Sequence, residues 1–139
     1  MPVKSLLVSL LAIFWLSAAQ AGEAEVRSAQ KTIAGQIEAF RAGDHGAAYG
    51  YAAPNIKRLF PTVERFMSMV VSGYQPVYRP QSYAFGKVEE LSGTSIVQQV
   101  LLVGPDGRNY EAVYTLELQP DGTHRITGVS LRASNALST

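Results

Sequence analysis

The chain has 139 residues, 47% of them hydrophobic, with 12 Lys plus Arg against 11 Asp plus Glu, a composition that suits one ordinary globular domain and is too short for two. Cysteine is absent, which excludes disulfides, thiolate metal sites, a Cys nucleophile and a lipidated N-terminal Cys. A near-balanced charge leaves no excess of Lys and Arg to gather on one surface, so a nucleic-acid or other polyanion partner is not expected.

Residues 1–21 read as a leader. Lys4 supplies the positive start, Leu6 to Leu16 an apolar stretch, and Ala19 and Ala21 the small residues of an A-x-A cleavage site. At about 1.5 Å per residue that stretch covers roughly 16 Å, against roughly 30 Å of hydrocarbon, which is too little for a span. The expectation is export with cleavage after Ala21, to the periplasm or the medium. Residues 22–139 then form the mature domain with no membrane segment and equal numbers of acidic and basic groups.

From Glu25 to Ala42, Val26, Ala29, Ile33, Ile37 and Phe40 recur at steps of three and four, which predicts one amphipathic helix ending at Gly43. Asp44 is placed to cap a short second helix through Ala47, Ala48 and Tyr51. Pro54 opens a helical turn through Ile56 and Leu59, and Pro61 repeats the device for a helix carrying Val63, Phe66, Met67 and Val70 on one face, closed by Ser72-Gly73. Pro76 and Pro80 then predict an extended run from Tyr74 to Pro80, either a crossover to the sheet or a surface offered to a partner.

Four strands follow, near Gln81 to Leu91, Thr94 to Val103, Arg108 to Gln119 and Thr123 to Ala133. Ser92-Gly93, Pro105-Asp106-Gly107 and Pro120-Asp121-Gly122 are turn sequences of the kind that joins antiparallel neighbours in a meander. In the third strand Tyr110, Ala112, Tyr114, Leu116 and Leu118 share one parity, while Asn109, Glu111, Thr115, Glu117 and Gln119 take the other with Val113. In the fourth, Ile126 lies on the opposite parity from Val129 and Leu131, and a bulge at Gly128 would return all three to one face.

This order of elements resembles the NTF2-like (cystatin-like) cone, an α+β fold with N-terminal helices packed on a curved four-stranded antiparallel sheet. More narrowly, Phe40-Arg41-Ala42-Gly43-Asp44, Ala48-Tyr49, Phe66 to Val70, Asp106-Gly107 and the run Asp121 to Val129 are similar to a family of small exported bacterial proteins called a domain of unknown function (four-eight-six-four). Where that family usually carries Trp, this chain has His124. The resemblance implies a cup between helices and sheet, which relatives of the cone use for isomerisation, dehydration or epoxide opening.

Such chemistry needs a carboxylate or His inside the cup. Parity turns Glu111 and Glu117 outward, while Glu89, Glu90, Asp106 and Asp121 fall at strand ends or turns. Asp44 reads as a helix cap, His45 as a solvated first-turn residue, and His124 as an inward ring standing in for an aromatic. Two His without a ligand cluster predict no metal, no serine lies in a G-x-S-x-G elbow, and Gly104 to Gly107 is a turn rather than a phosphate loop. No cofactor is expected. Tyr49, Tyr110, Tyr114 and His124 are the candidate ligand-binding residues, since inward phenols serve either a core network or the polar rim of a pocket.

The leading expectation is a non-catalytic module that binds a small apolar ligand. Its competitors are a lyase or isomerase using Asp44, His124 and a tyrosine, and an interaction module, including a homodimer, working through Tyr74 to Pro80 or the sheet.

Overall fold

The computed structural model describes the backbone of residues 3–134 and the side chains of residues 22–134. Helix α1 runs unbroken over Val3–Arg41, well upstream of the start expected at Glu25, because the Leu- and Ala-rich segment before it is itself made of strong helix formers. The leader and its cleavage site, read from side-chain character, lie outside the residues whose side chains are described. Among the described residues no helix is long and apolar enough to cross a membrane.

The apolar stripe of α1 faces inward as its spacing requires, with Ala29, Ile33, Ile37 and Phe40 buried. Helix α2 (His45–Gly50) is capped by Asp44, whose carboxylate accepts from the Ala47 N–H at 3.1 Å. Helix α3 (Pro54–Leu59) starts on its proline. Helix α4 (Val63–Gly73) is capped by Thr62, whose hydroxyl oxygen accepts from the Arg65 N–H, so Pro61 stands one residue before the cap and not within the first turn.

The segment expected to be extended is instead a helical turn, α5 (Gln75–Tyr78), with Pro76 in its first turn and Pro76 and Val77 buried. A first-turn proline sacrifices no helical hydrogen bond, because that N–H would lack an intrahelical partner anyway. Tyr78 meets Phe40 edge-on at 5.7 Å, and Arg79 donates to the Arg41 carbonyl, so the turn is locked to α1.

Strands β1 (Ser82–Glu90), β2 (Ser95–Val103), β3 (Asn109–Leu118) and β4 (His124–Ala133) form a four-stranded antiparallel sheet in the order β1-β2-β3-β4. Together with the helices they make an α+β architecture with a curved sheet. Gly107 and Gly122, at φ +78 and +85, supply the left-handed residue that closes the β2–β3 and β3–β4 turns.

The expected bulge is present. Thr115 pairs with Gly128 but Leu116 with Ile126, leaving Thr127 as the extra residue. Ile126, Val129 and Leu131 thereby stand opposite Leu116, Tyr114 and Ala112 on the inner face. A second irregularity in β1, between Phe85 and Val88, sets Gly86 and Lys87 against Gln99.

Polar residues inside the fold were not anticipated from periodicity. Thr32 donates to the His124 carbonyl at 2.7 Å, and Gln36 donates to the Ala48 carbonyl at 3.0 Å. Gln98, fully buried in β2, accepts from Gln30 at 3.0 Å and turns its amide N–H groups toward the Gly86, Lys87 and Gln99 carbonyls. The outer sheet face is more mixed than β3 alone implied, because Val97, Leu101 and Val103 of β2 lie there beside Thr115, Glu111 and Asn109.

Thr32 joins α1 to the first residue of β4 inside the protein. Replacing it as Thr32→Val keeps the shape and strands a buried carbonyl, so urea unfolding should show a loss of about 1–3 kcal/mol. An unchanged midpoint would show that this bond does not hold helix to sheet.

Candidate functional site

The side of β4 facing away from β3 is not left open. Ala53 N–H donates to the Ile126 carbonyl at 2.8 Å, and Ile126 N–H donates to the Tyr51 carbonyl at 3.0 Å, making a short parallel bridge beside the edge strand. Asn55 donates to the Thr127 carbonyl, and the Tyr74 hydroxyl donates to that of Val129. These contacts hold α3 and the start of α5 against β4, and a cavity of about 270 Å³ remains between them, α1 and α4.

Its lining is almost wholly apolar. Phe40, Phe60, Phe66 and Val70 form one wall, and Ile126 and Val129 of the bulged strand form the other. Gln36 is one of few polar side chains there, its amide N–H already given to Ala48. Among the described residues that line the cavity there is no carboxylate, imidazole, lysine or arginine. Leu59, 70% exposed, stands at the margin with Ile56 and Met69, an apolar rim that water solvates poorly.

The four tyrosine and histidine candidates do not converge on this space. Tyr49 packs on Phe66 at 5.2 Å and donates to the Phe60 carbonyl at 2.6 Å, which fixes the residue that forms the cavity wall without entering it. Tyr110 is inward by parity, but its hydroxyl returns to the β2–β3 turn and donates to Asp106 at 2.6 Å; that bond raises the phenol's pKa and lowers the carboxylate's. Tyr114 is fully buried on β3, its hydroxyl without a partner, and burial drives its pKa well above the ordinary phenol value.

His124 is 2% exposed, with Nδ1 at 2.9 Å from Ser28 Oγ and Nε2 buried without a partner. It faces α1 on the far side of the Tyr51–Ala53 bridge, beside a separate polar groove. Asp44 is spent on its helix cap and His45 is exposed.

The strand carboxylates lie where parity placed them. Arg132 reaches both oxygens of Glu111 at 3.1 Å, and that bond is the main reason its pKa falls below the usual range. Glu117 accepts from the Ser95 and Thr94 hydroxyls, which lower its pKa in the same way. Among the described residues no group of three His, Cys, Asp or Glu is arranged to hold a metal.

The sequence does not reveal the cavity, because its own helix accounts for each lining residue. Ile56, Phe66 and Val70 account for amphipathic faces whether or not a space lies between those faces. One signal was available: Gln36 follows Ala29 by seven residues and Ile33 by three, so it occupies the apolar stripe of α1, where an amide needs a reason.

A family model described as a domain of unknown function (DUF4864) matches residues 22–139, and the chain belongs to that family. No curated protein and no solved structure matches the chain.

The two phenols make opposite predictions. Tyr114→Phe removes a buried hydroxyl that has no acceptor and should leave stability unchanged or raise it by about 1 kcal/mol. Tyr49→Phe breaks a made bond and should cost about 1 kcal/mol. Chemical denaturation of both variants checks the pair, and a large loss for Tyr114→Phe would mean that its hydroxyl is bonded after all.

Proposed function

We propose that the domain is an exported, non-catalytic binding module of the NTF2-like type that holds a small apolar molecule between α1, α3, α4 and the bulged end of β4. The observation that carries this reading is the lining: a space of about 270 Å³ walled by aromatic and aliphatic side chains, with Gln36 and Tyr74 as its main polar contributions. An apolar cavity of about 150 Å³ stays dry and takes up benzene, so the space suits a small ring or a short branched chain. Orientation of such a guest would come from the Gln36 amide, and affinity from removing apolar surface from water, at about 25 cal/mol per Å².

A lyase or isomerase would place an acid or base at the reacting atoms. Asp44 and His124, the residues considered for that work, are engaged with the α2 backbone and with Ser28. Their positions favour the binding reading over the catalytic one.

The test is a thermal-shift series with indole and naphthalene. Either compound should raise the melting temperature with the logarithm of its concentration, and Met69→Trp, which pushes a larger side chain into the cavity, should abolish the shift while the circular dichroism spectrum stays the same. If no apolar compound stabilises the wild type, or if Met69→Trp responds as the wild type does, the cavity is not a binding site.

Export is supported by the leader's composition and by a family match that starts at Gly22, the residue expected after cleavage. Intact-mass analysis of the protein recovered outside the cytoplasm should give a chain beginning at Gly22. A chain retaining Met1 and held in the cytoplasm would overturn this part of the reading.

A further inference from the structure

A second concavity, of about 570 Å³, lies on the other side of the Tyr51–Ala53 bridge, between the middle of α1, the end of α2 and the β3–β4 turn. Its walls differ in kind from those of the apolar cavity. Lys31 and Arg125 bring two cations, and Ser28 and Thr123 bring hydroxyls. Lys57 is close enough to Arg125 for the guanidinium to contribute, after desolvation, to lowering its pKa, so positive charge also approaches from α3.

The anionic side of the balance is weak. Asp121 accepts from the Thr123 N–H and hydroxyl and meets Arg125 only at 3.5 Å, with its side chain 55% exposed. Arg125 also donates to the Gly50 carbonyl, which pins its guanidinium at the groove wall. Lys31 is exposed and has no ion pair or hydrogen bond among the described residues.

An independent observation comes from beneath the groove. His124, almost completely buried, contributes to the lining and keeps one ring nitrogen without a partner, while Nδ1 faces the Ser28 hydroxyl at 2.9 Å. In the tautomer that carries its proton on Nδ1, the imidazole donates to Ser28 and releases the Ser28 proton to point into the groove. Nε2 is then an acceptor, so the ring serves the groove only through the Ser28 hydroxyl, whose proton stands between the Lys31 and Arg125 cations as a donor for an anionic guest.

We infer that this groove is a binding site for a small anion, a phosphate or carboxylate group on an organic molecule, held by Lys31 and Arg125 with the Ser28 hydroxyl. The site is separate from the apolar cavity, and its fate does not depend on that reading. Oxyanions fit because several acceptor oxygens can meet lysine, guanidinium and hydroxyl donors at once.

The test titrates the full domain with inorganic phosphate and, in a separate arm, with acetate, at constant ionic strength held by chloride, following amide and side-chain NMR signals. Saturable shifts of Ser28, Lys31, Thr123 and Arg125 signals are expected with at least one anion, and the arm that binds more tightly identifies the headgroup. Lys31→Glu, at an exposed position that should not disturb the fold, should weaken that binding by at least about tenfold, whereas Met69→Trp should leave it unchanged. Non-saturating shifts with both anions, or equal affinity in Lys31→Glu and wild type, would overturn the assignment.

Discussion

The arrangement of this protein depends on one extra residue in its last strand. A regular strand from His124 onward would send Ile126 to one face and Val129 and Leu131 to the other, and part of the apolar surface of β4 would meet water. Inserting Thr127 between the pairs made by Ile126 and Gly128 corrects the phase. The Thr127 hydroxyl then bonds to Thr115 across the ladder, and a Cβ at position 128 would stand 3.0 Å from the Thr115 hydroxyl, so the irregularity is fitted to its neighbour. Ile126, beside the bulge, also bonds to the Tyr51–Ala53 segment; Ala52 and Ile126 line the apolar cavity, and Tyr51 and Arg125 line the polar groove.

Periodicity made most of the fold legible. Short hairpin connections, alternating parity in β3 and the cap residues Asp44 and Thr62 act locally, so their consequences follow from neighbours in sequence. The helical turn at Gln75 was hidden because proline forbids a helix interior but suits a first turn, and choosing between the two needs knowledge of where the turn begins. Only the tertiary setting, with Val77 buried and Tyr78 against Phe40, decides it.

The candidate site was less legible for a different reason. Parity tells which face a side chain leaves from, and it does not tell how far its polar end travels. Tyr110 and Tyr114 share a face, yet one hydroxyl returns to a surface turn while the other ends in the interior without an acceptor. Tyr49 and His124, from different elements, finish on opposite sides of the Tyr51–Ala53 bridge. A cavity between four helices and a strand is a property of packing, and no single element records it. The amide at position 36 was the one local inconsistency, a polar group on an otherwise apolar stripe.

Gln98 has a consequence for how copies of this molecule can meet. Its side chain holds the carbonyls of the β1 bulge from within and is itself held by Gln30, so the outermost strand keeps a kink in the middle of its free margin. At the opposite margin the backbone around Ile126 is already occupied by residues 51 and 53. A sheet kinked along one border and engaged around Ile126 along the other offers a less regular template for another polypeptide to lengthen it. Growth by ribbon upon ribbon is thereby made less favourable.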